Sequence, residues 1–204
     1  MIPMKRVAIV DYGLGNLRSV FRGLEKAGGT PIITADASEV RSGDGVVLPG
    51  VGAFREGMER LGDLRAAVEE AASEVPLLGI CLGMQMLLEF SEEHGLHEGL
   101  GMVPGRVRRF SSSPGYKVPH MGWNSLSIMD RNDPLLAGVP DQCYVYFVHS
   151  YFAQTTPAYT LTTTDYCCGF ASAVRNGTVY GVQFHPEKSG DTGIRILRNF
   201  IGLL

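Results

Sequence analysis

Four short apolar runs in the first half of the chain leave little choice of fold. They are "RVAIVDYG" (Arg6 to Gly13), "TPIIT" (Thr30 to Thr34), "GVVLPG" (Gly45 to Gly50) and "PLLGI" (Pro76 to Ile80). None alternates apolar with polar side chains, so each predicts a strand buried on both faces. Helical patterns lie between them. Asn16 stands where it can cap a helix from about Leu17 to Lys26, with Val20, Phe21 and Leu24 on one face. Further helical material runs from about Phe54 to Ser73, broken near Gly62, and a helix over about Leu82 to Phe90 follows the fourth strand. Buried strands joined by helices imply a parallel sheet with right-handed crossovers. The expected class is α/β: an open, mostly parallel sheet flanked by helices.

The second half is written differently. "GRVRRF", "NSLSIM", "CYVYFVHSYF", "YTLTTTDY", "FASAVRNG" and "TVYGVQF" are short β-branched and aromatic runs split by turn residues. They predict an added portion of mostly antiparallel strands and hairpins, with Asn176-Gly177 a two-residue turn signal. A helix from about Asp191 to Ile201 follows. The 204 residues contain no repeat, linker or low-complexity segment, which predicts one domain over residues 1–204. Net charge is −3 and no basic run is interleaved with aromatics, which argues against nucleic acid as a ligand. The start "MIPMKRVAIVDYG" is too brief and too quickly polar for a secretory leader. No apolar stretch approaches the roughly 18 residues needed to span a bilayer. The expectation is a cytoplasmic protein with no membrane partner.

Of the four cysteines, Cys143, Cys167 and Cys168 read as small apolar residues in or beside strands, and none forms C-x-x-C. Cys81 differs. Gly79-Ile80-Cys81-Leu82-Gly83 lies between a predicted strand and a predicted helix, as a nucleophile elbow requires. The side chain sits on a strained turn, so its neighbours must be small. It projects at the carboxyl end of the sheet, where open α/β folds bind ligands. The bland alternative is a core cysteine beside two chance glycines.

A cysteine nucleophile needs a base, and the base an orienting partner. His94 and His97, in "EEHGLHEG", read as solvated loop residues. His185 ends the run "TVYGVQF", and Pro186 keeps it extended. Residues two apart in extended chain share a face, so Glu187 can accept the ring N–H of His185. Alone this would be a surface His-Pro-Glu turn; joined to the elbow it makes Cys81–His185–Glu187. Pro49-Gly50-Val51-Gly52 ends the third strand and can aim backbone N–H groups at a developing oxyanion, with the Leu82 N–H as a second donor.

Together, "LPGVGAF", "LLGICLGMQML" and "VQFHPEKS", in this order and spacing, resemble the class I glutamine amidotransferases. The resemblance spans nearly the whole chain. It implies the fold of that family, with Cys81 as nucleophile, His185 as base and acid, and Glu187 as orienter. Gly52 and Leu82 then match the oxyanion donors, and Gly52, Gln85, Ser150 and Tyr151 the positions that hold L-glutamine. Within the family, "DYGLGN", "PHMGWN", "YFVHSY" and Lys188 resemble the glutaminases of imidazole glycerol phosphate synthase. That resemblance implies histidine biosynthesis and a heterodimer with a (β/α)8-barrel cyclase subunit. It places Asn16, Trp123, Tyr146 and Lys188 at the partner interface. Read on their own, Trp123 is a core tryptophan or, with Gly122 and Asn124 beside it, part of an exposed loop, Asn16 a helix cap and Lys188 a solvated charge. The segments Glu92 to Val103 and Ser111 to Val118 match nothing in the family. The implied chemistry is hydrolysis of glutamine to glutamate and ammonia, and it requires no metal and no organic cofactor.

Two rivals share some of these features. A cysteine α/β hydrolase acting on an ester or lactone has the elbow, but its acidic partner normally lies far from the histidine in sequence. A non-catalytic sensor would keep a redox-reactive Cys81 and lose the base.

Overall fold

The computed structural model describes residues 5–111 and 114–204. The first four residues of the start read above as no leader, and residues 112 and 113 of the unmatched segment, lie outside the described residues.

The first half alternates as its apolar runs require. Strands β1 (Arg6–Val10), β2 (Thr30–Thr34), β3 (Gly45–Gly50) and β4 (Leu77–Cys81) are interleaved with helices α1 (Leu17–Ala27), α2 (Ala37–Arg41), α3 (Phe54–Leu61) and α4 (Leu64–Glu74). The Asn16 side chain caps α1 by accepting the Ser19 N–H, and Gly28 ends it in a left-handed conformation. The break expected near Gly62 separates α3 from α4. Helix α2 carries little apolar periodicity; Asp36 caps it by accepting the Ser38 and Glu39 N–H groups.

After β4 comes α5 (Leu82–Met86), then strands β5 (Leu88–Ser91), β6 (His97–Glu98), β7 (Val103–Arg109), β8 (His120–Ser125) and β9 (Ser127–Ile128). Strands β10 (Tyr144–His149), β11 (Tyr151–Gln154), β12 (Thr160–Asp165), β13 (Gly169–Asn176) and β14 (Val179–Val182) precede the last helix, α6 (Gly190–Leu203). The helix expected to reach Phe90 therefore stops at Met86. Leu88 to Ser91 instead pair with β7 and β6, where tertiary ladder bonds override the local helical pattern. "CYVYFVHSYF" is two strands on two different sheets. Asn176 remains on β13 opposite Val179, so the two-residue loop is Gly177-Thr178, with Gly177 at φ 59°.

Twelve strands form one mixed sheet, and β10 with β8 forms a separate antiparallel ribbon. The parallel part runs β2-β1-β3-β4-β14, and the antiparallel addition continues from β14 through β13, β11 and β7. Both faces of the parallel part are covered. Val7, Ile9, Val47, Leu78 and Ile80 pack with α1 and α6 residues such as Leu24, Leu197 and Phe200. Val10, Val46, Leu48 and Leu77 pack on the other face with Phe54, Leu61 and Val68 of α3 and α4. Each fully buried Leu or Ile contributes about 2 kcal/mol, which is why these strands read as continuous apolar runs.

The later strands are mostly antiparallel, as expected, with two parallel pairings: β7 lies along β5, and β14 departs at the place decisive for the site. Strand β14 inserts parallel to β4, with Val182 opposite Ile80, so the chain after β14 emerges beside the end of β4.

Candidate active site

Cys81 is the last residue of β4 and directly precedes α5. Its backbone lies at φ 55°, ψ −107°, a strained conformation for a residue with a side chain. The flanking glycines are required by crowding. A Cβ at Gly79 would lie 2.8 Å from the Gly83 carbonyl group, and one at Gly83 would lie 1.8 Å from the Leu48 carbonyl oxygen. The corner is tight because α5 turns back over β3 and β4. With five residues α5 is a short helix, so polarity at the sulfur comes chiefly from neighbouring side chains.

His185 follows β14 by three residues, and its main-chain N–H donates to the Tyr146 carbonyl at 2.9 Å. Its Nδ1 lies 2.9 Å from Glu187 Oε1, with both side chains almost fully buried. The Pro186–Lys188 turn is 3₁₀-helical, yet it still brings Glu187 back onto the ring. Burial alone would lower the His185 pKa. The thiolate of Cys81 and the carboxylate of Glu187 outweigh burial and push it up to about 9. The second ring nitrogen, Nε2, is buried and has no hydrogen-bond partner among the described residues.

A cavity of about 410 Å³ opens over Cys81. Gly52, Leu82, Gln85, Ser150 and Tyr151, the sequence-predicted oxyanion and substrate positions, all line it with Cys81. The two glycines of the third-strand turn have different reasons. Gly50 pairs with Cys81 in the sheet, and a Cβ there would meet the Tyr12 hydroxyl at 2.3 Å. Gly52 has open space around it and φ 112°, so conformation demands its glycine. Freedom to reorient is thus confined to Val51 and Gly52.

Trp123, Tyr146 and Lys188 come together on one surface. The Trp123 and Tyr146 rings meet edge to face at 6.1 Å across the β8–β10 ribbon, and Lys188 Nζ lies 5.9 Å from the Tyr146 ring centre. Trp123 is 56% exposed, not a core residue. Asn16 is exposed at the start of α1, a helix that packs against the Pro186–Lys188 turn.

Sequence reasoning missed four groups at this site. Glu93, in a segment without a family match, lines the cavity and accepts the Phe54 N–H at 2.6 Å. Gln183 is wholly buried, and its amide lies 3.6 Å from Cys81 Sγ. His120 and His149 are buried and joined at 2.9 Å between Nδ1 and Nε2. Gln183, His120 and His149 each stood inside a recognised motif, which was the available signal; the pairing of the two histidines had none, because they lie on different strands.

The class-I glutamine amidotransferase family model matches residues 8–203. The chain is 51% identical over 201 residues to the imidazole glycerol phosphate synthase subunit HisH of Methanosarcina mazei, covering 97% of this chain and 98% of that protein. It is 53% identical over 204 residues to the subunit of the same name from Natronomonas pharaonis, covering 96% and 93%. Among solved structures, PurLQS from Thermotoga maritima shares the fold at a TM-score of 0.75 and 18% identity, over 98% of this chain and 99% of that one. A glutamine amidotransferase from the same organism aligns at a TM-score of 0.62 and 22% identity, over 94% and 80%.

Proposed function

Since the chain belongs to the class I glutamine amidotransferases, we propose that Cys81, His185 and Glu187 are its catalytic triad and that the cavity over Cys81 takes L-glutamine. The chain serves as the glutaminase subunit of imidazole glycerol phosphate synthase, in histidine biosynthesis. A subunit of that enzyme has a cyclase partner, which we assign to a (β/α)8-barrel.

The observation that carries the site assignment is the parallel pairing of β14 with β4, which delivers His185 to the side of Cys81. The Cys81 thiolate attacks the carboxamide carbon of glutamine and forms a tetrahedral oxyanion, which the N–H groups of Gly52 and Leu82 receive. A ring with a pKa of about 9 holds its proton at neutral pH. Glu187 accepts from Nδ1, which leaves the Nε2–H to pass to the departing nitrogen. Ammonia leaves and a glutamyl thioester remains. Water then gives its proton to Nε2 and its oxygen to the acyl carbon, releasing glutamate and the free thiol. Glu93, a carboxylate in the cavity wall, suits the substrate ammonium.

Trp123, Tyr146, Lys188 and Asn16 form the surface that receives the cyclase. Docking there biases the Val51-Gly52 segment toward its donor-in state, a shift of population with no new catalytic group. The test is glutamate release by the chain alone and with the cyclase and its nucleotide ligand. Cys81→Ala should abolish release while sparing synthesis from ammonium salts by the complex. Release persisting in Cys81→Ala overturns the triad; full activity of the lone chain overturns only the switching.

A further inference from the structure

We propose that Gln183 is a further catalytic residue: its side-chain amide is a fixed donor to Cys81 Sγ, and the main-chain carbonyl of Tyr151, acting through Gln85, imposes the direction of that amide. The inference deepens the reading above and rests on Cys81 being the nucleophile.

The direction follows from one group that cannot change its role. The main-chain carbonyl of Tyr151 only accepts. His149 Nδ1 reaches it at 2.8 Å and Gln85 Nε2 at 3.0 Å. His149 therefore carries its proton on Nδ1, and its Nε2 accepts from His120 Nδ1 at 2.9 Å. His120 Nε2 then accepts from Asn124 Nδ2 at 3.3 Å, whose other hydrogen goes to the Asp165 carbonyl at 2.9 Å. Both rings are neutral in this scheme. Burial favours that state, taking His120 down to about 4 and His149 to about 3.

The same carbonyl orders the other arm. Gln85 turns Nε2 toward Tyr151 and gives its second hydrogen to Gln183 Oε1 at 3.0 Å. With Oε1 engaged, Gln183 presents Nε2 to Cys81 Sγ at 3.6 Å. A flipped Gln183 would oppose two NH₂ groups and set an oxygen against the sulfur. One orientation satisfies every group.

The sulfur sits between this amide and the Val148 carbonyl, 3.9 Å away. The thiol can donate to Val148; the thiolate cannot. Gln183 donates to both forms and more strongly to the anion. Its main chain is held as well, since the Gln183 N–H donates to the Ser172 carbonyl at 2.9 Å. Gln85 is the positioning residue that acts through Gln183, while His149 and His120 share its acceptor, the Tyr151 carbonyl.

The test is alkylation of Cys81 by chloroacetamide across pH, read peptide by peptide by mass spectrometry on the full chain. Gln183→Met keeps the volume and removes the donor; Gln183→Glu keeps the shape and substitutes an anion. Alkylation of Cys81 at neutral pH should slow about tenfold in Gln183→Met and further in Gln183→Glu, with the pH profile moved up by about one unit. Glutaminase kcat should fall in parallel while KM changes little. An unchanged Cys81 rate and profile in either folded variant overturns the proposal. Should neither variant fold, the side-chain amide nitrogen resonance of Gln183 in the native chain decides. Its movement as Cys81 titrates supports the donor role, and indifference overturns it. Alkylation needs no glutamine, so this outcome is separable from glutamate release by Cys81→Ala, whose persistence would instead overturn the nucleophile assignment.

Discussion

Two groups of histidines lie close to Cys81, and equal burial gives them opposite character. His185 is 2% exposed, His120 3% and His149 6%. Burial opposes charge on all three rings, yet His185 is pushed up to about 9 while His120 and His149 fall to about 4 and 3. The difference is the partner. His185 faces the Cys81 thiolate and the Glu187 carboxylate, both of which favour an imidazolium. His149 faces a second imidazole and a carbonyl; the carbonyl bond raises its pKa, but burial, reinforced by the nearby His185, prevails. A buried histidine in this fold is thus a proton carrier or a fixed, neutral link according to what its nitrogens meet.

The comparison breaks most severely if the charged member is removed. His185→Asn should lower glutaminase kcat about 10⁶-fold, and Glu187→Gln about 10⁴-fold, since an orienter impairs a triad less than loss of the base. Initial rates of glutamate release by the complex measure both. Removing the carboxylate should also move the ring titration of His185 down from about 9, seen by NMR. A His185→Asn enzyme more active than Glu187→Gln would contradict the ordering.

A smaller effect is expected at the neutral pair. His120→Leu leaves His149 Nε2 without its donor in a buried place, at a cost of about 1–3 kcal/mol in unfolding free energy. Denaturant titration reads this directly. Because His149 and Tyr151 line the cavity, KM for glutamine should rise more than kcat falls. A kcat loss as large as that of Glu187→Gln would erase the distinction between the two regions.

What the sequence made legible follows the same division. Strands buried on both faces announce themselves as apolar runs, and an elbow announces itself through Gly79 and Gly83, whose Cβ positions are occupied by backbone. The His-x-Glu pairing was readable because both members lie within three residues. The β5 strand was not, since Leu88 to Ser91 carries a helical pattern and is strand only through β7 and β6. Nor was the parallel seat of β14, a choice made by the whole sheet. The His120–His149 pair depends on the β8–β10 register, where His149 stands opposite His120. No local pattern encodes such a pair. Gln183 and Glu93 are similar: their roles exist only once distant segments meet.

The finest test of the comparison is the pH dependence of stability, because the two groups should act on opposite sides of neutrality. A ring whose folded pKa is depressed binds fewer protons folded than unfolded between its folded value and 6.5. Stability therefore falls as pH drops from 6.5 toward 4, where the unfolded chain gains protons that the folded rings refuse. His149, whose pKa is pushed further down, should dominate, with a slope of about 1 kcal/mol per pH unit; His120 adds less. A ring whose folded pKa is raised does the reverse. The contribution of His185 is complete below 6.5 and is lost as pH rises through about 9. Urea unfolding at closely spaced pH values separates them. Replacing His120 and His149 together by Leu should flatten the acid slope and leave the alkaline one. His185→Asn should flatten the alkaline slope and leave the acid one. An acid slope unchanged in the double variant would mean that the folded pair already carries a proton, and the neutral chain of donors between Asn124 and Tyr151 would have to be abandoned.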